Sequence, residues 1–407
     1  MKKHDFQNPF RPGAGHVPPY LAGRTAEQNE VRKLLDQKIV MENIILTGLR
    51  GVGKTVLLES LKPIAREKKW LWAGTDLSES ASITESNIAI RILADVSLIT
   101  STLLVRETRT QGMGFTGSEK IIRESLNYDA LKRYFDNIPG LIADKLKATL
   151  ELVWAALPKE DLSGIVFAYD EAQNLADYGL RHEYPLSLLL EVFQSLQRKN
   201  IPFLLLLTGL PTLFPKLVEA RTYSERMFNV IFLGQLDIND SRDAIVKPIE
   251  DSSCPIQFSE RTVNKIIEFS GGYPYFIQFI GREVYDAWIN KINSDEIPTV
   301  LLDDIIRKLD TSFFQGRWAK ATDRQRDLLM IIPSLPNCDG EFTVQEISEE
   351  SKKRSNPFSP SHVNQMLSSL AEAGLVYKNR HGRYSLAVPL LSRFIKRQMR
   401  EAGAGIV

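Results

Sequence analysis

The chain is poor in cysteine and has no excess of either charge. Cys254 and Cys338 are its only cysteines. They supply neither a disulfide framework nor a metal-ligand spacing, a usage expected of a reducing, cytoplasmic setting. Lys and Arg number 51 against 50 Asp and Glu, so no global field favours nucleic acid or a membrane, and any charged partner must be met by a local patch. No apolar run reaches the roughly 18 residues of a spanning helix. The opening MKKHDFQNPF has basic residues without an apolar stretch behind them, so neither a membrane partner nor a leader is expected. What is present is length: 407 residues exceed one compact α/β core, and three domains are expected.

Residues 1–20 contain Pro9, Pro12, Pro18, Pro19, Gly13 and Gly15 and read as an extended arm lying on the domain that follows. Residues 21–237 read as that domain. A helical pattern over 24–37 precedes Asn43-Ile-Ile-Leu-Thr47, a short apolar run ending at a glycine, as in a buried parallel strand. Four more such runs, at 71–77, 165–169, 203–207 and 231–233, are spaced widely enough for crossover helices. This predicts an α/β fold with a parallel sheet covered by helices on both faces. Residues 78–163 read as a helical insertion, with one helix over 87–107, a break at 112–117 and a second helical piece over 128–157. In that piece Leu131, Tyr134, Ile138, Leu141 and Ile142 form a stripe expected to face the core.

Gly48-Leu-Arg-Gly-Val-Gly-Lys-Thr55 matches the phosphate-loop pattern between a strand and a helix. Gly48, Gly51 and Gly53 let the backbone N–H groups, including those of Arg50, Val52 and Val56, turn toward phosphate. Lys54 supplies a mobile charge, and the Thr55 hydroxyl suits Mg²⁺. Ile165-Val-Phe-Ala-Tyr-Asp-Glu171 is an apolar strand ending in two acids. Asp170 is placed to orient Mg²⁺ and Glu171 to polarise an attacking water, although adjacent acids at a strand end can also cap a helix. ATP and Mg²⁺ are the expected cofactors.

With these motifs the chain resembles the AAA+ superfamily, in particular the branch that holds origin-recognition ATPases and the signal-transduction ATPases with numerous domains. Tyr20-Leu-Ala-Gly-Arg-Thr-Ala-Glu27 is similar to their "GR..E" box, which implies that Gly23 and Arg24 help hold base and sugar. The resemblance further implies a γ-phosphate sensor at Thr208, an arginine directed at a neighbouring subunit at Arg226, and a "GxP" element at Ser270-Gly-Gly-Tyr-Pro274. Arg226 could instead pair with a local acid, and Pro274 could simply start a helix. Arg282 is the nearest lid arginine to a second sensor. A homo-oligomer is implied, and the likeness covers about residues 20–290.

Residues 238–316 read as a helical lid, and 317–400 as a winged-helix domain. Thr322 with Gln325, and Thr343 with Glu346, have capping-box spacing. Ser359-Pro360 opens a third helix that Gly374 ends, and two short strands follow. Residues 351–400 hold ten basic side chains, Lys352, Lys353, Arg354, Lys378, Arg380, Arg383, Arg393, Lys396, Arg397 and Arg400, against the single acid Glu372. His362, Asn364 and Gln365 lie opposite the apolar stripe of the third helix, and Lys378, Arg380 and Arg383 mark the wing. Duplex DNA is the expected partner of this face. The alternative is a signalling switch in which the same domain is a protein-interaction module controlling a separate effector.

Overall fold

A computed structural model describes residues 7–401 except 14, 38, 102–103, 112–118, 159–160, 253–255, 293–301 and 381. Cys254 and His381 therefore lie outside the described residues. The chain divides into two compact units, Thr25–Thr47 with Leu57–Phe232, and Met1–Arg24 with Gly48–Val56 and Leu233–Val407.

The first unit contains α1 (Thr25–Leu35), β1 (Asn43–Thr47), most of α2 (Lys54–Glu67), β2 (Trp70–Ala73), α3 (Glu85–Thr100), β3 (Leu104–Gln111) and β4 (Glu119–Ser125). It continues with α4 (Tyr128–Asn137), α5 (Ile142–Ala156), β5 (Gly164–Tyr169), α6 (Pro185–Arg198), β6 (Phe203–Gly209), α7 (Leu213–Ala220), α8 (Ser224–Met227) and β7 (Phe228–Phe232). The five expected runs form one parallel sheet in the order β2-β5-β6-β1-β7. Side chains alternate across a strand. Here both alternating sets are buried, Ile165, Phe167, Leu205 and Leu207 on one face, Val166, Ala168, Leu204 and Leu206 on the other. Hence the strands read as continuous apolar runs.

The insertion is not wholly helical. The first helix stops at Thr100, and β3 and β4 pair antiparallel from Leu104 with Ser125 to Gln111 with Glu119. The second piece breaks after Asn137, where Pro139-Gly140 cannot continue a helix and Gly140 takes φ +110°. That break changes the stripe. Leu131 and Phe135 of α4, with Leu146, Leu150 and Val153 of α5, join the sheet core, whereas Tyr134 and Leu141 are exposed.

The second unit contains α9 (Ile238–Glu250), α10 (Glu260–Ser270), α11 (Pro274–Ile292), α12 (Leu302–Leu309), a π-helical turn at Asp310–Phe314 and α13 (Gln315–Trp318). Its C-terminal part runs α14 (Asp323–Leu329), β8 (Phe342–Thr343), α15 (Val344–Ser351), α16 (Pro360–Glu372), β9 (Val376–Arg380), β10 (Arg383–Leu386) and α17 (Leu391–Glu401). Both capping boxes form, at Thr322 with Gln325 and at Thr343 with Glu346. The two expected strands gain a third partner in the antiparallel order β8-β10-β9. The arm, expected on the domain that follows it, packs instead on α11: Asn8 donates to the Arg282 carbonyl and to Asp286, and Phe10 is buried against Gly281.

Candidate functional site

The loop 48–56 is covalently the exit of β1 and the entry to α2, and its shape is set by glycine. Gly51 and Gly53 have φ of +83° and +91°, the region open to glycine and strained for other residues. Lys54 folds back, its Nζ donating to the carbonyls of Gly48 and Leu49 at 3.0 Å each. Its charge is thus held beside the backbone that the motif presents to phosphate. Arg50 is exposed at the loop tip, Val52 is fully buried, and Thr55 and Val56 are half-buried.

Two other segments brace this loop. Arg24, 6 % exposed, donates from Nη2 to the carbonyls of Val52 at 3.1 Å and Gly234 at 2.7 Å. The arginine of the "GR..E" box therefore holds the loop backbone. Gly23 takes φ +62°, and a Cβ there would lie 2.5 Å from the Asp240 carboxylate. Gly271 and Gly272 turn the chain with φ of +57° and +73° before Pro274 begins α11. The next residue, Tyr275, donates its backbone N–H to the Gly51 carbonyl at 3.1 Å. Pro274 does start a helix, and that helix reaches the phosphate loop through its first turn. Arg282, further along α11, lies 3.7 Å from Asp286. A cleft of about 650 Å³ in this unit includes Leu49, but its lining carries Asp237, Glu268 and Asp339 beside a single arginine, Arg393, a poor match for a phosphate chain.

The carboxyl edge of the parallel sheet carries the acids. Asp170, 3 % exposed, follows β5 and accepts from the Glu171 N–H at 2.7 Å and from the Thr208 hydroxyl on β6. Glu171 is exposed and in the left-handed region at φ +53°, a conformation that costs a non-glycine residue about 1 kcal/mol or more and recurs where a side chain must be aimed. Its carboxylate accepts from Gln173 Nε2, while Gln173 Oε1 accepts from the Leu210 N–H at 3.1 Å. Lys216 donates to the Gln173 carbonyl at 2.9 Å, and burial lowers its pKa below the ordinary lysine value. Sequence reasoning missed Gln173. The only available signal was its spacing two residues beyond Glu171. Asp76, paired with Asp170 in an isolated bridge, has its pKa raised by burial first and then by Asp170, Glu171 and Glu59.

Arg226 lies on α8, exposed, and makes no ion pair among the described residues, Glu225 included.

On the C-terminal part, His362, Asn364 and Gln365 are exposed on α16 as expected. Asn364 Oδ1 accepts from the Tyr384 hydroxyl at 3.0 Å, and the His362 ring lies 5.7 Å from Phe358. The basic excess is smaller than the count over 351–400. Lys352 and Lys353 pair with Glu349 and Glu350, which lie just outside that window. Arg397 forms a two-pronged pair with buried Asp310, Arg354 donates to the Met330 carbonyl, and Arg393 to that of Glu268. Lys378 is exposed and Arg383 half-buried, with no ion pair among the described residues. Arg380 ends β9, and its side chain is outside the description.

Residues 311–395 match a domain of unknown function, DUF8462. No curated protein matches the sequence. Among solved structures, the chain is similar to the ADP form of the ORC2 protein of Aeropyrum pernix, with TM-score 0.56, 13 % identity, and coverage of 97 % of this chain and 98 % of that one. The same protein in ADPNP-ADP complexes gives 0.52 at 14 %, over 97 % and 98 %. A Walker-type ATPase of Pyrococcus abyssi gives 0.55 at 15 %, over 92 % and 96 %. At these identities the likeness speaks for fold. The chain thus shares its fold, a five-stranded parallel sheet flanked by helices, with these ORC-type and archaeal Walker-type proteins.

Proposed function

We propose that the chain binds and hydrolyses ATP as an AAA+ ATPase and assembles on duplex DNA through a C-terminal winged helix. The observation that carries the ATPase reading is the bond between Asp170, just past the end of β5, and Thr208 on the adjacent β6, at the same sheet edge from which the chain leaves β1 into the phosphate loop. Backbone N–H groups of the loop take the phosphates, Lys54 exchanges its carbonyl partners for phosphate oxygens, and Thr208 reports on the γ-phosphate. Glu171, released from Gln173, accepts the proton of the attacking water.

Mg²⁺ suits this donor set. Thr55 and Asp170 are the residues that would hold it, and Asp76, whose pKa is raised by burial first and then by Asp170 and Glu171, adds to a concentration of negative charge that a cation would relieve. The ion supplies charge neutralisation for the phosphates and needs only one or two protein carboxylates. Arg226, exposed and without an ion pair among the described residues, is the residue assigned to a neighbouring subunit's nucleotide in a homo-oligomer.

The DNA reading rests on the exposed face of α16 and on Lys378 and Arg383. The helix-strand-helix-helix-strand-strand order with basic residues on its hairpin supports the winged-helix reading. A second reading is favoured by one observation: α17 is tied to the lid by Arg397 on Asp310 and by Phe394 stacked on Phe314 at 5.1 Å. In that reading the domain transmits the nucleotide state to a separate effector protein. ATP turnover measured with and without duplex DNA over a salt series separates the two. Stimulation that fades steeply with salt is expected. Turnover indifferent to DNA at every salt concentration overturns the DNA assignment and leaves the switch.

A further inference from the structure

Arg317 is a half-buried cation with no counter-charge among the described residues. It lies in α13, just beyond the π-helical turn. Its guanidinium donates to the Phe313 carbonyl and sits over the Phe313 ring, 4.3 Å from the centroid. The Phe313 ring packs on that of Tyr275 at 4.9 Å, and Tyr275 is the residue whose N–H holds the Gly51 carbonyl. Two rings therefore carry Arg317 to the phosphate loop.

The charged groups that act on Arg317 are the guanidinium of Arg50, at the loop tip, and the Tyr275 phenol. No carboxylate among the described residues takes part. Burial first, and Arg50 second, push the Arg317 pKa below the ordinary arginine value. Arginine does not relieve such stress by losing its proton. Like charges that repel each other, one of them partly desolvated, raise the energy of the ligand-free state, and an anion would offset both costs. A planar guanidinium backed by an aromatic face is also well shaped for two phosphate oxygens.

We propose that Arg317, together with Arg50, binds the phosphate chain of the nucleotide held by the loop, so that a residue C-terminal to the lid contacts the ligand directly. The proposal rests on the ATP-binding reading above. It places the contact on the segment matched by the domain of unknown function, and it makes the same π-helical turn that holds Arg397 through Asp310 part of the nucleotide response.

The test is titration of full-length protein with fluorescent ATP and ADP, for the unmodified chain, Arg317→Ala, Arg317→Lys and Arg50→Ala, alongside melting of each nucleotide-free protein. The expected result is an ATP affinity at least about tenfold weaker in Arg317→Ala, partial recovery in Arg317→Lys, and a nucleotide-free melting temperature that is unchanged or higher, since an uncompensated charge has been removed. An arginine with only a structural role predicts the reverse, a lower melting temperature with ATP affinity intact, and that result overturns the proposal. Should Arg317→Ala fail to fold, equal ATP affinity in Arg317→Lys, Arg50→Ala and the unmodified chain overturns it as well. Loss of duplex DNA affinity with unchanged ATP affinity assigns the pair to DNA phosphate and also overturns it. If the unmodified chain binds neither nucleotide, the ATP-binding reading itself fails, an outcome distinct from the others.

Discussion

The phosphate loop and the carboxyl edge of the sheet reach readiness by opposite means. The loop is prepared by backbone: two glycines in the left-handed region, two of its carbonyls occupied by its own lysine, and two more held from outside by Arg24 and by the Tyr275 N–H. The edge is prepared by side chains already bonded to each other, Asp170 with Thr208 and Glu171 with Gln173. A backbone cradle needs only to receive a ligand, whereas a paired side-chain set must first exchange partners. Binding is therefore expected to depend on the loop, and turnover on the edge.

The sharpest way to break that contrast is a pair of substitutions. Lys54→Ala is expected to weaken ATP binding by about 100-fold or more in a titration, since it removes the loop's charge. Glu171→Gln is expected to bind ATP normally and lose about 10²–10⁴-fold in turnover. Equal loss of binding in both would erase the distinction between the two regions. Arg226→Ala is expected to lower turnover about tenfold or more at high protein concentration while leaving ATP affinity unchanged. If turnover per chain is independent of protein concentration, the assignment to a neighbouring subunit is wrong.

Smaller effects sharpen the picture. Gln173→Ala frees Glu171 and is expected to raise basal turnover about tenfold, from the roughly 1.5 kcal/mol at the low end for a hydrogen bond to a charged group; turnover that falls instead would make Gln173 a positioning residue. Asp76→Asn concerns pH. The folded pKa of Asp76 is raised, so the folded state binds its proton more tightly than the unfolded state. The cost to stability is absent below the unfolded pKa and fully present once pH exceeds the folded value. Asp76→Asn is thus expected to stabilise the fold at neutral pH by less than about 1 kcal/mol, given the exposure of the group, and to raise the melting temperature slightly. The gain disappears as pH falls through the raised pKa.

The loop was legible because a phosphate loop is a fixed-spacing motif that needs particular residues at particular positions. Asp170 and Glu171 were legible because they end an apolar run. The partners that restrain them were not, since Gln173 and Thr208 meet only after β5 and β6 pair and the chain turns back. The insertion shows a different failure. Val105, Thr108 and Thr110, with Ile121 and Ile122, flank a glycine-rich segment, which is a hairpin signal, yet the helix expected from the preceding periodicity runs through residue 107. The charge count over 351–400 overstates the unpaired basic charge for a local reason. A charge count over a window ignores acids one helical turn outside it, and Glu349 and Glu350 are such acids.

The fit of the arm sets a practical boundary on how this chain can be shortened. Residue 20 looks like a natural starting point for an expressed fragment, because what precedes it has no helix or strand among its described residues. Phe10, however, is 2 % exposed and fills the notch left by Gly281, where a Cβ would come within 2.6 Å of the phenyl ring. Its ring also lies 6.2 Å from Phe258 and 6.4 Å from Tyr285. Deleting it removes an aromatic plug, at a cost of about 3–5 kcal/mol by analogy with core phenylalanines. A fragment trimmed to its regular elements would leave a hole where a wedge had been, and its lid would be the part that suffers.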